Sequence, residues 1–513
     1  MILFKEIQLL PEIFLGISII YLIIHGTFLS VNAKYLLIQN SALYLSVLIM
    51  SFFCFLLANN AVEYNDFQIF NNTIIVDYLS FSSKIWIAIM SIFCFLMSQC
   101  YIARQKINYF EYSVLILFAL LGIFFICSSN DLITAYLSIE LQSLSFYIMA
   151  AMKKDSAFSV DAGLKYFILG AFSSSLFLFG SSILYGVSGS TSFEDLKDLF
   201  FLRCFNYDGV SVIDNYTFIK HVLLEGSLVQ FALVFIFVSL LFKLAVAPFH
   251  LWSPDVYEGS PSSSTFFFAV VPKLSIFILM IRIFYSSFFE HVTKWRYYIV
   301  VLAVLTIVIG SFGGLEQKKL KSLLAYSSIS HMGYTLIAFS TGTFEGIQVL
   351  FCYLFLYMVT GLCIWSIFLV LRLRHKYIKK QNKDLADLNL LNKSNNILAL
   401  CFSTVLFSLA GIPPLVGFLV KIGIFLVSIE ASMYFVAIIS ILCSVISTFY
   451  YIRIVKTMYF ENAAAGKLYY PIKPNISVLI VCLFYFLLFL FINPTIVYLI
   501  SHKITLLLSL SML

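Results

Sequence analysis

Residues 240–255 read LLFKLAVAPFHLWSPD, and residues 409–423 read LAGIPPLVGFLVKIG. Both lie in apolar runs of membrane-crossing length, and both are interrupted by proline close to a lysine. Pro248 follows Lys243 by five residues, and Gly411, Pro413 and Pro414 precede Lys421 by seven to ten. Proline has no N–H to donate and its ring collides with the preceding turn, so both helices are expected to be kinked or broken. Single proline kinks are common in membrane helices. Paired breaks, each beside a buried lysine, point to an inverted-repeat transporter with ion sites at the breaks.

The chain around these stretches has 513 residues, of which 61% are hydrophobic and 11% charged. A soluble domain is nearer half apolar and a quarter charged. A helix crossing ~30 Å of hydrocarbon needs about 20 apolar residues. Fourteen such runs lie near 8–29, 41–58, 77–102, 111–128, 131–152, 160–187, 229–251, 262–289, 296–314, 320–341, 345–371, 396–427, 431–459 and 474–500. The expected fold is therefore an all-α polytopic membrane protein of about 14 transmembrane helices. Secreted, cytosolic and nucleic-acid-binding readings are excluded. The opening MILFKEIQLLPEIFLG has no basic n-region and no small-residue cleavage site, so its run is expected to be a retained helix. The ten cysteines form no CxxC pair and fall almost entirely inside apolar runs, which reads as small buried hydrophobes. The 55 Phe beside abundant Ile, Leu and Tyr suit an A+T-rich gene, as many organellar genomes are.

Seventeen Lys and Arg fall in loops after odd-numbered runs and seven on the opposite side. That bias predicts odd loops inside and both termini outside. The long outer loop, 188–228, carries Glu194, Asp195, Asp198, Asp208, Asp214 and Glu225 and is expected to be a solvated lobe. The basic stretch 372–393 is expected to be a solvated connector or a lipid-headgroup contact. Five helices separate run 7 from run 12, which predicts five-helix repeats of runs 4–8 and 9–13, inverted because five is odd. The expected divisions are a three-helix segment (1–110), a first repeat (111–289), a second repeat (290–460) and a C-terminal helix 14 (461–513). Glu140 then corresponds to His331, and Lys243 to Lys421.

Eight basic residues remain within the runs. Arg453 and Lys456 lie at a helix end, where long side chains snorkel, and Arg282 is read the same way. Lys84 is two turns from Asp77 and is read as a local ion pair or a headgroup contact. Lys165, Lys243, Lys273 and Lys421 lie deeper. Asp77, Glu111, Asp131 and Asp161 are at helix ends, whereas Glu140 is ten residues into run 5 and His331 is in the middle of run 10. A charge near the bilayer centre costs at least ~2.5–3.5 kcal/mol. Fixed ion pairs between helices are one account, and for His331 a bond to a backbone carbonyl is another. The chemistry these groups suit best is proton relay. Burial weakens an ammonium's hold on its proton and a nearby carboxylate restores it, so a movable pair has adjustable proton affinity. Waters would link groups too far apart for direct hydrogen bonds.

The stretch KLAVAPFHLWSPDVYEGSPSSSTFFFAVVPKLSIFILMIRIF (243–284) closely resembles the subunit 2 type of antiporter-like membrane subunit of respiratory complex I. SSNDLITAYLSIELQSLSFY (128–147), LKYFILGAFSSSLFLFGSSILYG (164–186), GLEQKKLKSLLAYSSISHMGY (314–334) and LAGIPPLVGFLVKIGIF (409–425) are similar to that family too. HLWSPDVYEGSP (250–261) and Lys421 separate it from the subunit 4 type, which tends toward HLWLPEAH and a glutamate. Ser262–Ser264 after Pro261 depart from many members, in a loop. The resemblance implies that Glu140 and Lys243 form an input pair that Lys165 modulates, that Lys273 is the central site, that His331 lies on the relay, and that Lys421 faces the output. It implies no cofactor on this chain, with NADH, FMN, iron–sulfur clusters and ubiquinone held by other subunits. Implied partners are other membrane-arm subunits, including a subunit 4-type neighbour, and lipids such as cardiolipin. The implied location is the mitochondrial inner membrane, or alternatively a bacterial plasma membrane. The alternative function is a subunit of a multi-subunit cation/proton antiporter.

Overall fold

The computed structural model describes residues 7–30, 35–59, 67–105, 110–205, 215–374, 379–381, 384–461, 469 and 472–512. Every one of the fourteen apolar runs becomes a helix or a helix pair. In chain order these are α1 (Leu10–Ser30), α2 (Tyr35–Asn59), α3 (Tyr78–Gln105), α4 (Glu111–Ser128), α5 (Leu132–Ala151), α6 (Ala157–Ser188) and α7 (Asn215–Leu244). They continue with α8 (Ser262–Ser287), α9 (Val292–Leu315), α10 (Leu320–Ser340), α11 (Phe344–Val370), α12 in two halves (Asn396–Ala410 and Val416–Glu430), α13 (Tyr434–Tyr459) and α14 (Pro474–Ile492). Twelve are long and apolar enough by themselves to cross a membrane. The other two are α10, diluted by serines and His331, and α12, whose halves are each too short. Short antiparallel strand pairs, β1 (Phe67–Ile69) with β2 (Ile74–Val76) and β3 (Arg372–Arg374) with β4 (Lys379–Gln381), lie between helices.

The loops sort into two ends. At one end Leu385 N–H donates to the Lys318 carbonyl, Lys321 donates to the Ser260 carbonyl, Lys319 pairs with Glu258, and Arg453 donates to the Leu315 carbonyl. All of these join loops or helix ends following odd-numbered helices. At the other end Asp131 bridges to Ser192, Ile74 to Ser129, and Ser287 Oγ donates to the Phe193 carbonyl. Helices α8 and α11 run through the middle: α8 is enclosed by protein along its length, and α11 nearly so. Large apolar side chains point outward from the peripheral helices, among them Ile17, Phe172, Phe435, Phe449 and Ile492. Water would reject such a surface, while hydrocarbon or an apolar partner accepts it.

Several sequence expectations change. Part of the 188–228 loop is packed structure: the helix Phe193–Phe205 buries Phe193, Leu196 and Phe200 beside the last turn of α8. Gln68 Nε2 also donates to Glu194 Oε1 at 2.5 Å. Residues 206–214, with Asp208 and Asp214, lie outside the described residues. Within the basic stretch 372–393, the side chains of 373–383 likewise lie outside the described residues, and Arg372 is buried, 5.6 Å from the Tyr101 ring centre. Run 14 splits before Pro494 into α14 and a further helix, α15 (Thr495–Met512), packed on α11 and α3. Proline cannot continue the helix that precedes it. Arg282 does not snorkel: its Nη2 is 2.7 Å from Asp77 Oδ1, and its Nε donates to the Cys127 carbonyl.

Candidate functional site

Helix α7 ends at Leu244, four residues before Pro248, and Ala245 turns the chain with φ +59°. Two carbonyls of its last turn are taken: Leu241's by Val246 N–H, and Phe242's by Ala245 N–H and Trp252 Nε1–H. A short helix, Trp252–Gly259, follows. Lys243 is on that last turn, partly buried, and donates to the Tyr147 hydroxyl of α5 at 3.3 Å. In α12 the first half ends at Gly411, whose φ of +81° an L side chain adopts at a cost. Lys421 belongs to the second half, yet it reaches back and donates to the Ala410 carbonyl at 2.8 Å. Both lysines thus stand beside a break, but only Lys421 donates to a carbonyl at the C-terminal end of the half-helix before it. Unpaired carbonyls and the helix dipole make that end attractive to a cation.

Two further groups lie between the breaks. Lys273 on α8 is buried, donates to the Tyr357 hydroxyl at 2.8 Å and sits 4.6 Å from that ring's centre. His331 on α10 is buried, with Nδ1 2.5 Å from the Tyr353 hydroxyl and Nε2 3.2 Å from the Tyr451 hydroxyl. It has found two side-chain partners in place of a backbone carbonyl. Two small cavities adjoin these groups. One, of about 20 Å³, touches Lys243, Lys273, Gln142, Ser143 and Tyr166. The other, of about 30 Å³, touches His331, Tyr353, Tyr357, Ser408 and Lys421. Each has room for a water molecule and polar groups to hold it.

Glu140 and Lys243 are not in direct contact. Glu140 Oε2 accepts from Ser143 Oγ at 3.4 Å, and its Oε1 is buried with no hydrogen-bond partner. Tyr147, which Lys243 does contact, is two helical turns further along α5, or about 10 Å of rise. Lys165 is not deep. Its ammonium lies 2.5 Å from Asp255, and both side chains are more than half exposed. The face of α6 that carries it turns away from the interior. Lys165→Ala is accordingly expected to change proton pumping by less than about two-fold, well short of the effect of Lys243→Ala, because Lys165 lines neither of the cavities beside Lys243, Lys273, His331 and Lys421. Vesicle acidification by the assembled complex checks this.

The sequence reading missed the tyrosines. Tyr147, Tyr353, Tyr357 and Tyr451 hold every relay candidate except Glu140, Lys165 and Lys421, and for Tyr353 and Tyr357 the signal was a position in mid-run, away from the interfacial belts where tyrosine usually collects. It also missed Glu12, whose Oε1 lies 2.6 Å from Lys84 Nζ. Lys84 thus pairs with α1, and Asp77 is left to Arg282. Among the described residues no group of three or more His, Cys, Asp or Glu is placed to hold a metal.

The family described as NADH:quinone oxidoreductase/Mrp antiporter, TM, matches residues 129–447. The chain is 40% identical over 504 residues to NADH-ubiquinone oxidoreductase chain 2 of Marchantia polymorpha, with 98% of each covered. It is 40% identical over 456 residues to NADH-quinone oxidoreductase subunit N of Pelagibacter ubique, covering 88% of this chain and 89% of that one. Among solved structures, a chain of respiratory complex I from Thermus thermophilus has the same fold, with a TM-score of 0.76 at 24% identity over 95% of this chain and 98% of that one.

Proposed function

The chain belongs to the NADH:quinone oxidoreductase/Mrp antiporter membrane-subunit family, among its chain 2 and subunit N members, and from that premise we propose that it is a proton-translocating membrane-arm subunit of respiratory complex I. NADH oxidation and ubiquinone reduction, with the FMN and iron–sulfur clusters they need, take place on other subunits. This chain carries protons along Glu140, Lys243, Lys273, His331 and Lys421, with Lys165 at the margin. The chain 2 relatives favour a mitochondrial inner membrane and a subunit 4-type neighbour, with cardiolipin-like lipids around it.

One observation carries the reading. Lys421 donates to the carbonyl end of the half-helix before one break, Lys243 stands on the last turn before the other and donates to Tyr147, and a third lysine, Lys273, lies on a helix enclosed by protein. Such placement is expensive for a structural charge and suits one that must gain and lose a proton. The matching breaks support inverted repeats of α4–α8 and α9–α13, framed by the segment α1–α3 and by the helices after residue 460. The buried, unpartnered Oε1 of Glu140 is free to receive a proton from outside this set.

Glu140→Ala, Lys243→Ala and Lys421→Ala are each expected to leave an assembled complex whose pumping is lowered about 10-fold or more, as loss of a positioned proton carrier implies. Wild-type pumping in all three overturns the relay. The matched family also includes Mrp antiporters, which favours a second reading as a cation/proton antiporter subunit. Sodium flux without NADH-linked partners would select it.

A further inference from the structure

Lys273 belongs to the stretch preceding α9, while His331 and Lys421 belong to the stretch after it. Helix α11 packs against α8, α10 and the second half of α12, and so adjoins both sets; Tyr357 stands on it. Its hydroxyl accepts from Lys273 at 2.8 Å, and the same residue lines the 30 Å³ cavity shared by His331 and Lys421. Tyr353, one turn earlier on α11, lines that cavity too and holds His331. Residues four apart on a helix share a face, so the two hydroxyls serve one space.

We infer that Tyr357 is the hydroxyl through which a proton passes from Lys273 to the His331–Lys421 cavity. The inference rests on the relay proposed above and names the link between its two halves. The Lys273 ammonium gives one proton to the Tyr357 oxygen as the Tyr357 proton leaves for a water in the cavity. That water in turn protonates the neutral amine of Lys421. Lys273 ends neutral, Lys421 ends as the ammonium, and Tyr357 and the water are unchanged. No electrons move. Rotation of the Tyr357 O–H resets the link. A phenol suits the task because its oxygen both donates and accepts, while the ring face next to Nζ favours the ammonium until transfer.

The test uses the assembled complex in native membrane vesicles, reading protons moved per NADH oxidised. Tyr357→Phe keeps the ring and removes the oxygen. It is expected to assemble normally and to lower that ratio about 10-fold, with partial recovery in Tyr357→His, whose imidazole can also pass a proton. Tyr285→Phe removes another buried hydroxyl, one that donates to the Phe339 carbonyl, and is expected to leave the ratio unchanged. A wild-type ratio in Tyr357→Phe together with a lowered one in Lys273→Met overturns the role of Tyr357 and leaves the relay standing. Wild-type ratios in both overturn the relay itself. If Tyr357→Phe fails to assemble, the pH profile of Tyr357→His decides. Pumping that now falls across the imidazole range, near pH 6.5, supports the inference, and an unaltered profile overturns it.

Discussion

Replacing Lys84 alone with methionine is expected to remove most of the assembled protein from the membrane, and replacing Glu12 with leucine at the same time to restore it. Lys84 Nζ and Glu12 Oε1 are 2.6 Å apart, each side chain is 3% exposed, and the pair joins α3 to α1. Taking one partner away leaves a carboxylate buried without its counter-charge, at a cost of about 3–5 kcal/mol. Replacing both with apolar groups of similar volume is neutral or stabilising by about 1–4 kcal/mol, because neither charge then has to leave water. The second carboxylate oxygen of Glu12 already lacks a hydrogen-bond partner, which leaves the anion little reserve once Lys84 is gone. The measurements are the amount of chain in the complex on a native gel and the thermal midpoint of the solubilised complex. Wild-type values for Lys84→Met would show that the pair contributes nothing.

Gly417→Ala is expected to be nearly as damaging, through the backbone. A Cβ at Gly417 would lie 1.8 Å from the Ser408 carbonyl oxygen, so one half of α12 has to move off the other. Overpacking of this kind costs about 1–3 kcal/mol, and a clash with backbone belongs at the upper end. The shift also draws the Lys421 ammonium away from the Ala410 carbonyl, so pumping should fall together with the midpoint. Gly186→Ala is the comparison, since a Cβ there meets nothing within 4 Å. In a helix interior that change gains about 0.5–1 kcal/mol. Equal midpoints for the two variants would contradict the close packing of the halves.

The helices and both breaks were legible because their causes are local. A run of apolar residues crosses a membrane by length alone, and proline interrupts a helix wherever it stands. Partnerships were not legible. Lys84 was weighed against Asp77, its neighbour two turns away, whereas the fold supplies Glu12 from 72 residues earlier. Lys165 was read as deep because it falls within an apolar run, but a helix apolar on every side shows no stripe to tell inward from outward. The resemblance pairs Glu140 with Lys243, but the fold gives Lys243 the Tyr147 hydroxyl and Glu140 the Ser143 hydroxyl. Tyr353 and Tyr357 went unread because tyrosine in a membrane segment usually marks an interface.

Enclosure of α8 on every side has a consequence for how the protein is made. Tyr357, the partner of Lys273, lies 84 residues later in the chain. When α8 leaves the ribosome α11 does not yet exist, and lysine at mid-helix opposes lateral entry into lipid by about 2.5–3.5 kcal/mol. The apolar remainder of α8 outweighs that opposition, but the nascent helix holds a lysine without its hydroxyl partner until α11 arrives. An early neighbour or an insertase that shelters α8 is therefore expected to aid insertion of this subunit.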